Sequence, residues 1–331
     1  MSTNQAATNA TNKSKEDIPA YRNSHKRRSI SSRLGTVAGI AAAIVIAVEI
    51  AARVTRATHN RRVRHLGSKL NVTVAGSGEP VVFLHGFRGS GRYWEPHVRE
   101  LTAHHQIIIV DLLGFGESPW PQDASYDVGN HLDAIDRTIE PLVRGRRVTI
   151  VGHSMGAILA AEYARRHRKA VSGVILLNAP MFRSEAEARS RIKEMSPMAA
   201  MFSVRRFWAR ASCDLVCAFR PLLFDIAPRL EPEIPPHVAR DAVLHRWESF
   251  DRTLRRVVLQ SNMEQTLRQL GPVPVTILHG TRDRVTLLSR LKTIASEIHA
   301  ELVVIPGGHN IYLDTPHAVV REIERAIARS Q

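Results

Sequence analysis

The chain has two cysteines in 331 residues, Cys213 and Cys217. That number excludes a disulfide-stapled scaffold and any zinc module built on several thiolates. No G-x-G-x-x-G follows an opening strand and no Walker-type lysine motif occurs, so nucleotide binding finds no support. Acidic residues are sparse at one end only: residues 1–69 hold thirteen Lys/Arg against three Asp/Glu, which accounts for +10 of the net +15. The other 262 residues carry +5, with no basic stripe interleaved by aromatics, and a nucleic-acid partner is not expected. What is present is 44% hydrophobic and 23% charged residues, enough for a packed core and incompatible with general disorder.

Residues 1–33 are polar, rich in Ser, Thr and Asn, and include His25-Lys26-Arg27-Arg28. Such a stretch buries too little apolar area to offset its ordering entropy, and reads as a disordered basic tail. Leu34 to Val48 then carries no charge, and the apolar segment runs on past Glu49 to Ala52. Its helical length, about 28 Å, approaches the ~30 Å hydrocarbon core, so 34–54 is expected to be a membrane-spanning signal-anchor helix. The alternative is an Ala/Gly-rich helix packed on the body; a cleaved signal fits less well, because the leading polar region is long. Six Lys/Arg lie within twenty residues on either side, which leaves orientation open for a single-pass protein. Residues 55–69 form a basic linker suited to anionic headgroups.

From 70 to 331 strands and helices alternate. Val72–Ala75, Val81–Leu84, Ile107–Val110, Val148–Val151, Gly173–Leu177, Val275–Leu278 and Leu302–Ile305 are short apolar runs. Continuous Val/Ile/Leu runs predict strands buried on both faces, hence an α/β fold with a mostly parallel central sheet and helices on both faces. Helical patterns occupy Ala157–Arg166, Leu287–His299 and Pro316–Ala328. No buried strand appears between about 181 and 270, where repeated prolines divide several helices, so this stretch is expected to be a helical cap.

Ser154 stands in Gly152-His153-Ser154-Met155-Gly156, after a strand and before a helix. That is the G-x-S-x-G elbow in its strand–turn–helix context, where glycines admit a strained turn and the serine meets a helix N-terminus. A serine hydroxyl needs a base and an orienting acid from neighbouring strand ends. Asp283 follows one late strand in His279-Gly280-Thr281-Arg282-Asp283, and His309 follows the last in Pro306-Gly307-Gly308-His309. With His85-Gly86 after an early strand, the Asp111–Ser118 turn (DLLGFGES), and the His309 motif counted together with the Asp314-Thr315-Pro316 that follows it, five motifs fall in order.

In that order the body resembles the α/β-hydrolase superfamily, as a serine esterase- or lipase-like member with a helical cap. The resemblance implies a Ser154–His309–Asp283 triad, and an oxyanion hole made by the backbone N–H groups of Phe87 and Met155, supported by His85, Gly86, Gly152 and Gly156. It implies an acyl-enzyme on Ser154, a carboxylic ester with a substantial apolar part as substrate, and neither cofactor nor metal. A carbon–carbon bond hydrolase or haloperoxidase-like enzyme of the same fold is the alternative; a non-catalytic, membrane-tethered binding protein is the alternative of another class. Oligomeric state stays open.

Other residues take plainer readings. Asp111 is expected to organise a turn, His153 to be structural, and His85 to shape the oxyanion loop. Cys213 and Cys217, four apart, read as buried cysteines. Met195, Met198, Met201, Phe202, Phe207, Trp208 and Phe219 form either the core of the cap or the lining of an apolar tunnel.

Overall fold

The computed structural model describes residues 67–95, 97–195, 210–211, 213–214, 228–229 and 234–330. The tail (1–33), the expected spanning helix (34–54), most of the 55–69 linker, Cys217 and the cap residues Met198 through Trp208 and Phe219 lie outside them. Among the described residues no helix is long and apolar enough to cross a membrane.

Seven strands form one sheet: β1 Val72–Ala75, β2 Glu79–Leu84, β3 His105–Val110, β4 Val148–His153, β5 Val171–Leu177, β6 Val275–Gly280 and β7 Glu301–Ile305. Their order is β1-β3-β2-β4-β5-β6-β7, with β1 antiparallel to β3 and every other pairing parallel. The alternation of side chains along a strand splits the core in two. Val82, Leu84, Ile108, Val110 and Ile150 belong to one apolar layer; Val81, Phe83, Ile107, Ile109 and Val151 belong to the other. The first layer is completed by helices α1 Val128–Val143 and α2 Met155–Arg166, the second by α9 Pro316–Ser330 and the 3₁₀ turns at His97–Ala103.

Two features differ from the sequence reading. Neither Val72–Ala75 nor Leu302–Ile305 is buried on both faces: β1 and β7 are the edge strands, with Val74 42% and Val304 39% exposed. An apolar run reports β propensity, but burial depends on whether a further layer exists to cover it. Helix α1 was not anticipated, although its signal is clear. Leu132, Ile135 and Ile139 repeat on one face, Asp127 caps the start by accepting from Asn130 N at 2.9 Å, and Arg144 closes the end in the left-handed region.

Between 181 and 270 the described residues contain no strand of the sheet. They form α3 Glu185–Met195, α4 Pro236–Asp241, α5 Trp247–Thr253, a π-helical stretch Leu254–Val258 and α6 Met263–Arg268. Later come α7 Leu288–Glu297 and the short α8 Ile311–Asp314. The chain passes from β2 outward to β3 and then returns to β4 on the other side of β2. The carboxyl ends of β2 and β4 therefore flank the topological switch point, where open α/β sheets leave a crevice.

Candidate active site

β4 ends at His153 and α2 begins at Met155, so Ser154 must reverse the chain in one residue. It does so at φ 53°, ψ −117°, a conformation rare for a residue with a side chain. The neighbourhood enforces this: Ser154 N donates to Leu177 O at 2.9 Å, and Ser154 O accepts from Ala157 N at 2.9 Å. The flanking glycines are required by contact. A Cβ on Gly152 would sit 2.2 Å from Gly156 O, and one on Gly156 would sit 2.2 Å from Leu84 O.

The other two predicted side chains arrive from the ends of β6 and β7. His309 Nε2 lies 2.9 Å from Ser154 Oγ, and His309 Nδ1 lies 3.2 Å from Asp283 Oδ1. The carboxylate assigns the tautomer: Nδ1–H donates to it, and the Nε2 lone pair faces the serine hydroxyl. Asp283 is enclosed, and burial pushes its carboxyl upward. The His309 hydrogen bond and charge, the Val285 N–H at 2.8 Å and His279 together outweigh this and hold it below the usual carboxylate range.

What aims His309 was not foreseen from the sequence. Asn178, the first residue after β5, is fully buried at φ 45°. Its Nδ2 donates to Gly308 O at 2.9 Å and His309 O at 2.6 Å, while its Oδ1 accepts from Gly280 N at 2.8 Å. A polar residue ending an apolar strand on the same sheet edge as Ser154 is the signal that could have found it. Asp314 Oδ2 completes the loop by accepting from Gly308 N at 2.6 Å. His279 is a second unforeseen neighbour: its Nδ1 lies 3.7 Å from Asp283 Oδ2, and burial lowers its pKa.

His153 takes the structural place expected of it. Its Nε2–H donates to His309 O at 2.8 Å, and its ring stacks on Tyr93 at 4.6 Å. Burial, aided by repulsion from His309, lowers its pKa to about 3, so it stays neutral.

On the β2 side, Leu112 N donates to His85 Nε2 at 2.9 Å, so Nδ1 carries the proton and donates to Gly86 O at 2.8 Å. Gly86 lies directly against the elbow: a Cβ there would meet His153 Nδ1 at 2.9 Å and Ser154 Cβ at 3.4 Å. The missing side chain lets the β2 loop, with Phe87, come alongside the first turn of α2, where Met155 supplies a helix-terminal N–H. Asp111 organises the adjacent turn, accepting from Gly91 N at 2.6 Å, Glu117 N at 2.8 Å and Asn71 Nδ2 at 2.9 Å.

Over this loop lies an apolar layer. The Phe87 ring packs 5.7 Å from Phe115 and 5.0 Å from Phe250, and Trp247 stacks 6.2 Å from Phe250. Cys213 is buried in the same cluster. Helix α4 is tied to the loop by Ser90 Oγ, which donates to Asp241 Oδ2 at 2.5 Å, and by Arg92, 3.1 Å from Asp241 Oδ1.

The profile of the family described as "Alpha/beta hydrolase family" matches residues 81–322. Among curated proteins the chain is 34% identical over 149 residues to "Probable lysophospholipase BODYGUARD 4" of Arabidopsis thaliana, covering 42% of this chain and 36% of the relative. It is 30% identical over 270 residues to "Probable lysophospholipase BODYGUARD 3" of the same plant, covering 74% of this chain and 51% of the relative. The chain thus spans about half the length of these relatives or less. Among solved structures, a thermophilic esterase from Thermogutta terrifontis shares the fold, with a TM-score of 0.61 and 21% identity over 79% of this chain and 93% of that one.

Proposed function

The chain belongs to the alpha/beta hydrolase family, and on that premise we propose that it cleaves carboxylic esters with a substantial apolar part through an acyl-enzyme on Ser154. The observation that carries this reading is the continuous relay from Ser154 Oγ through His309 to Asp283, at 2.9 and 3.2 Å.

In the proposed reaction Ser154 Oγ attacks the ester carbonyl carbon while His309 Nε2 takes the hydroxyl proton. The oxyanion is received by the N–H groups of Phe87 and Met155; losing one such donor typically raises the barrier by about 2.7–4 kcal/mol. The ester C–O bond then breaks, and imidazolium returns its proton to the departing alcohol. Water repeats the sequence on the acyl group, which leaves as a carboxylic acid and frees the serine. Asp283 holds the imidazole tautomer and stabilises the transient cation.

The substrate class rests on two supports. The aromatic layer of Phe87, Phe115, Trp247 and Phe250 lies over the oxyanion loop, and the Arabidopsis relatives bear the name lysophospholipase. A lysophospholipid-like ester with one long acyl chain fits both. In the same reading residues 34–54 anchor the protein to a membrane, 1–33 and 55–69 flank the anchor, and 181–270 serve as cap.

A fluorophosphonate probe tests the mechanism: wild type is expected to label and Ser154→Ala to be blank. Labelling of the variant equal to wild type removes Ser154 from the reaction. A chain-length series of p-nitrophenyl esters tests the substrate, with turnover rising from acetyl to longer acyl groups. No turnover of any ester by folded protein favours the binding-protein alternative.

A further inference from the structure

We propose that His97, Glu100 and His317 form a surface site for a divalent transition-metal ion, zinc being the best match. Among the described residues this is the only group of three His, Cys, Asp or Glu side chains whose ligand atoms converge, all within 4.8 Å of one another. It belongs to neither the elbow nor its relay.

The geometry has a local cause. His97 and Glu100 lie in a 3₁₀ segment, His97–Ala103, where residues three apart eclipse one another and project from one line. His317 enters from the first turn of α9, immediately after Pro316. Its Nδ1 is 3.4 Å from Glu100 Oε1, and its ring meets that of His97 edge-on at 5.0 Å. Two ligands bound at about 2.1 Å in a tetrahedron stand roughly 3.4 Å apart, so the Glu100–His317 pair already spans one edge of such a shell. A side-chain rotation would bring His97 to the third vertex. The three side chains are partly or largely exposed, which leaves the remaining position to water.

Two imidazoles and one carboxylate form a donor set of borderline softness, matched to zinc and poorly matched to magnesium or calcium. The site would clamp the 97–103 segment onto the start of α9. Between them sits Tyr312, whose hydroxyl accepts from Val98 N at 3.2 Å and donates to Trp94 O. Tyr312 lies three residues after His309, so the clamp braces the base of the loop that carries it.

The test uses full-length protein without a histidine tag, stripped with EDTA and titrated with Zn²⁺ against a chromogenic chelator. One ion per chain is expected. At a hundredfold excess over Kd the melting temperature should rise by about 5 °C or more. His97→Ala and His317→Ala should each weaken binding at least tenfold and remove most of that rise, with circular dichroism in EDTA unchanged from wild type. Absence of a saturable one-to-one site overturns the proposal, as does wild-type affinity in the double variant. Fluorophosphonate labelling of the same samples reports on Ser154 separately, so loss of either reading leaves the other standing.

Discussion

The side-chain amide of Asn178 reaches the carbonyl oxygen of His309 at 2.6 Å, while the His309 ring points to Ser154 Oγ at 2.9 Å. The same carbonyl accepts from His153 Nε2 at 2.8 Å, so the backbone of residue 309 is held by groups from the ends of β4 and β5. Through Gly280 N, Asn178 also grips the end of β6, the strand that leads to Asp283. One buried amide thereby ties the loop that carries His309 to the strand end that leads to Asp283.

Replacing that amide should impair turnover more than binding. Asn178→Ala removes two donors and one acceptor from a buried site, and is expected to lower kcat about 10- to 100-fold with a smaller change in KM. Steady-state kinetics on a p-nitrophenyl ester would check this; an unchanged kcat in a folded variant would show that the loop holds its place without Asn178.

Asp283→Asn keeps the shape and removes the charge. An amide nitrogen facing His309 Nδ1 favours the wrong tautomer, and the imidazolium loses its counter-ion. The expected fall in kcat is about 10⁴-fold with folding retained, as such a change does elsewhere in triads. Comparing turnover with the thermal melt separates chemistry from stability.

The elbow glycines should tolerate no side chain. Gly152→Ala and Gly156→Ala each drive a methyl to 2.2 Å from backbone oxygen, where no rotamer change relieves the clash. Destabilisation of about 3 kcal/mol or more is expected. Urea denaturation, or loss of soluble expression, provides the measurement, and a melt within a degree of wild type contradicts the packing described.

Mild acid should weaken the fold. His131 and His153 are both buried, and burial lowers each pKa to about 3. Between that value and the unfolded value of ~6.5, the unfolded chain binds more protons than the native one, so stability falls as pH falls. Each ring contributes a loss of roughly 2 kcal/mol between pH ~6.5 and ~5. Stability measured over this range should slope downward toward acid, and His153→Gln should reduce that slope by about half, leaving the part due to His131. A flat profile in wild type would mean that neither ring is kept neutral.

The residues that report on themselves were legible without coordinates. Gly152-His153-Ser154-Met155-Gly156 encodes its turn within five positions, and the strand Val72–Ala75 has the bounds its sequence pattern suggests. Helix α1 is legible too, through Leu132, Ile135, Ile139 and the Asp127 cap, although the apolar β-runs on either side are the stronger pattern in that region. The edge position of Leu302–Ile305 was not legible, since exposure belongs to the neighbours a strand receives and not to its own side chains.

The linear chain by itself determined the elbow and the alternation of strands and helices, because dihedral preference and hydrophobic period act over a few residues; the grouping of Ser154 with Asp283 and His309 was what the resemblance implied. Only the tertiary structure supplied the contacts that hold each histidine where it was expected. His153, adjacent to Ser154 in sequence, lies stacked on Tyr93, whereas His309 brings its ring to the hydroxyl. Asn178 and the His97–Glu100–His317 cluster came to light in the same way. Their partners are set by the order of strands in the sheet and by the docking of α9, long-range packing that no short stretch of sequence contains.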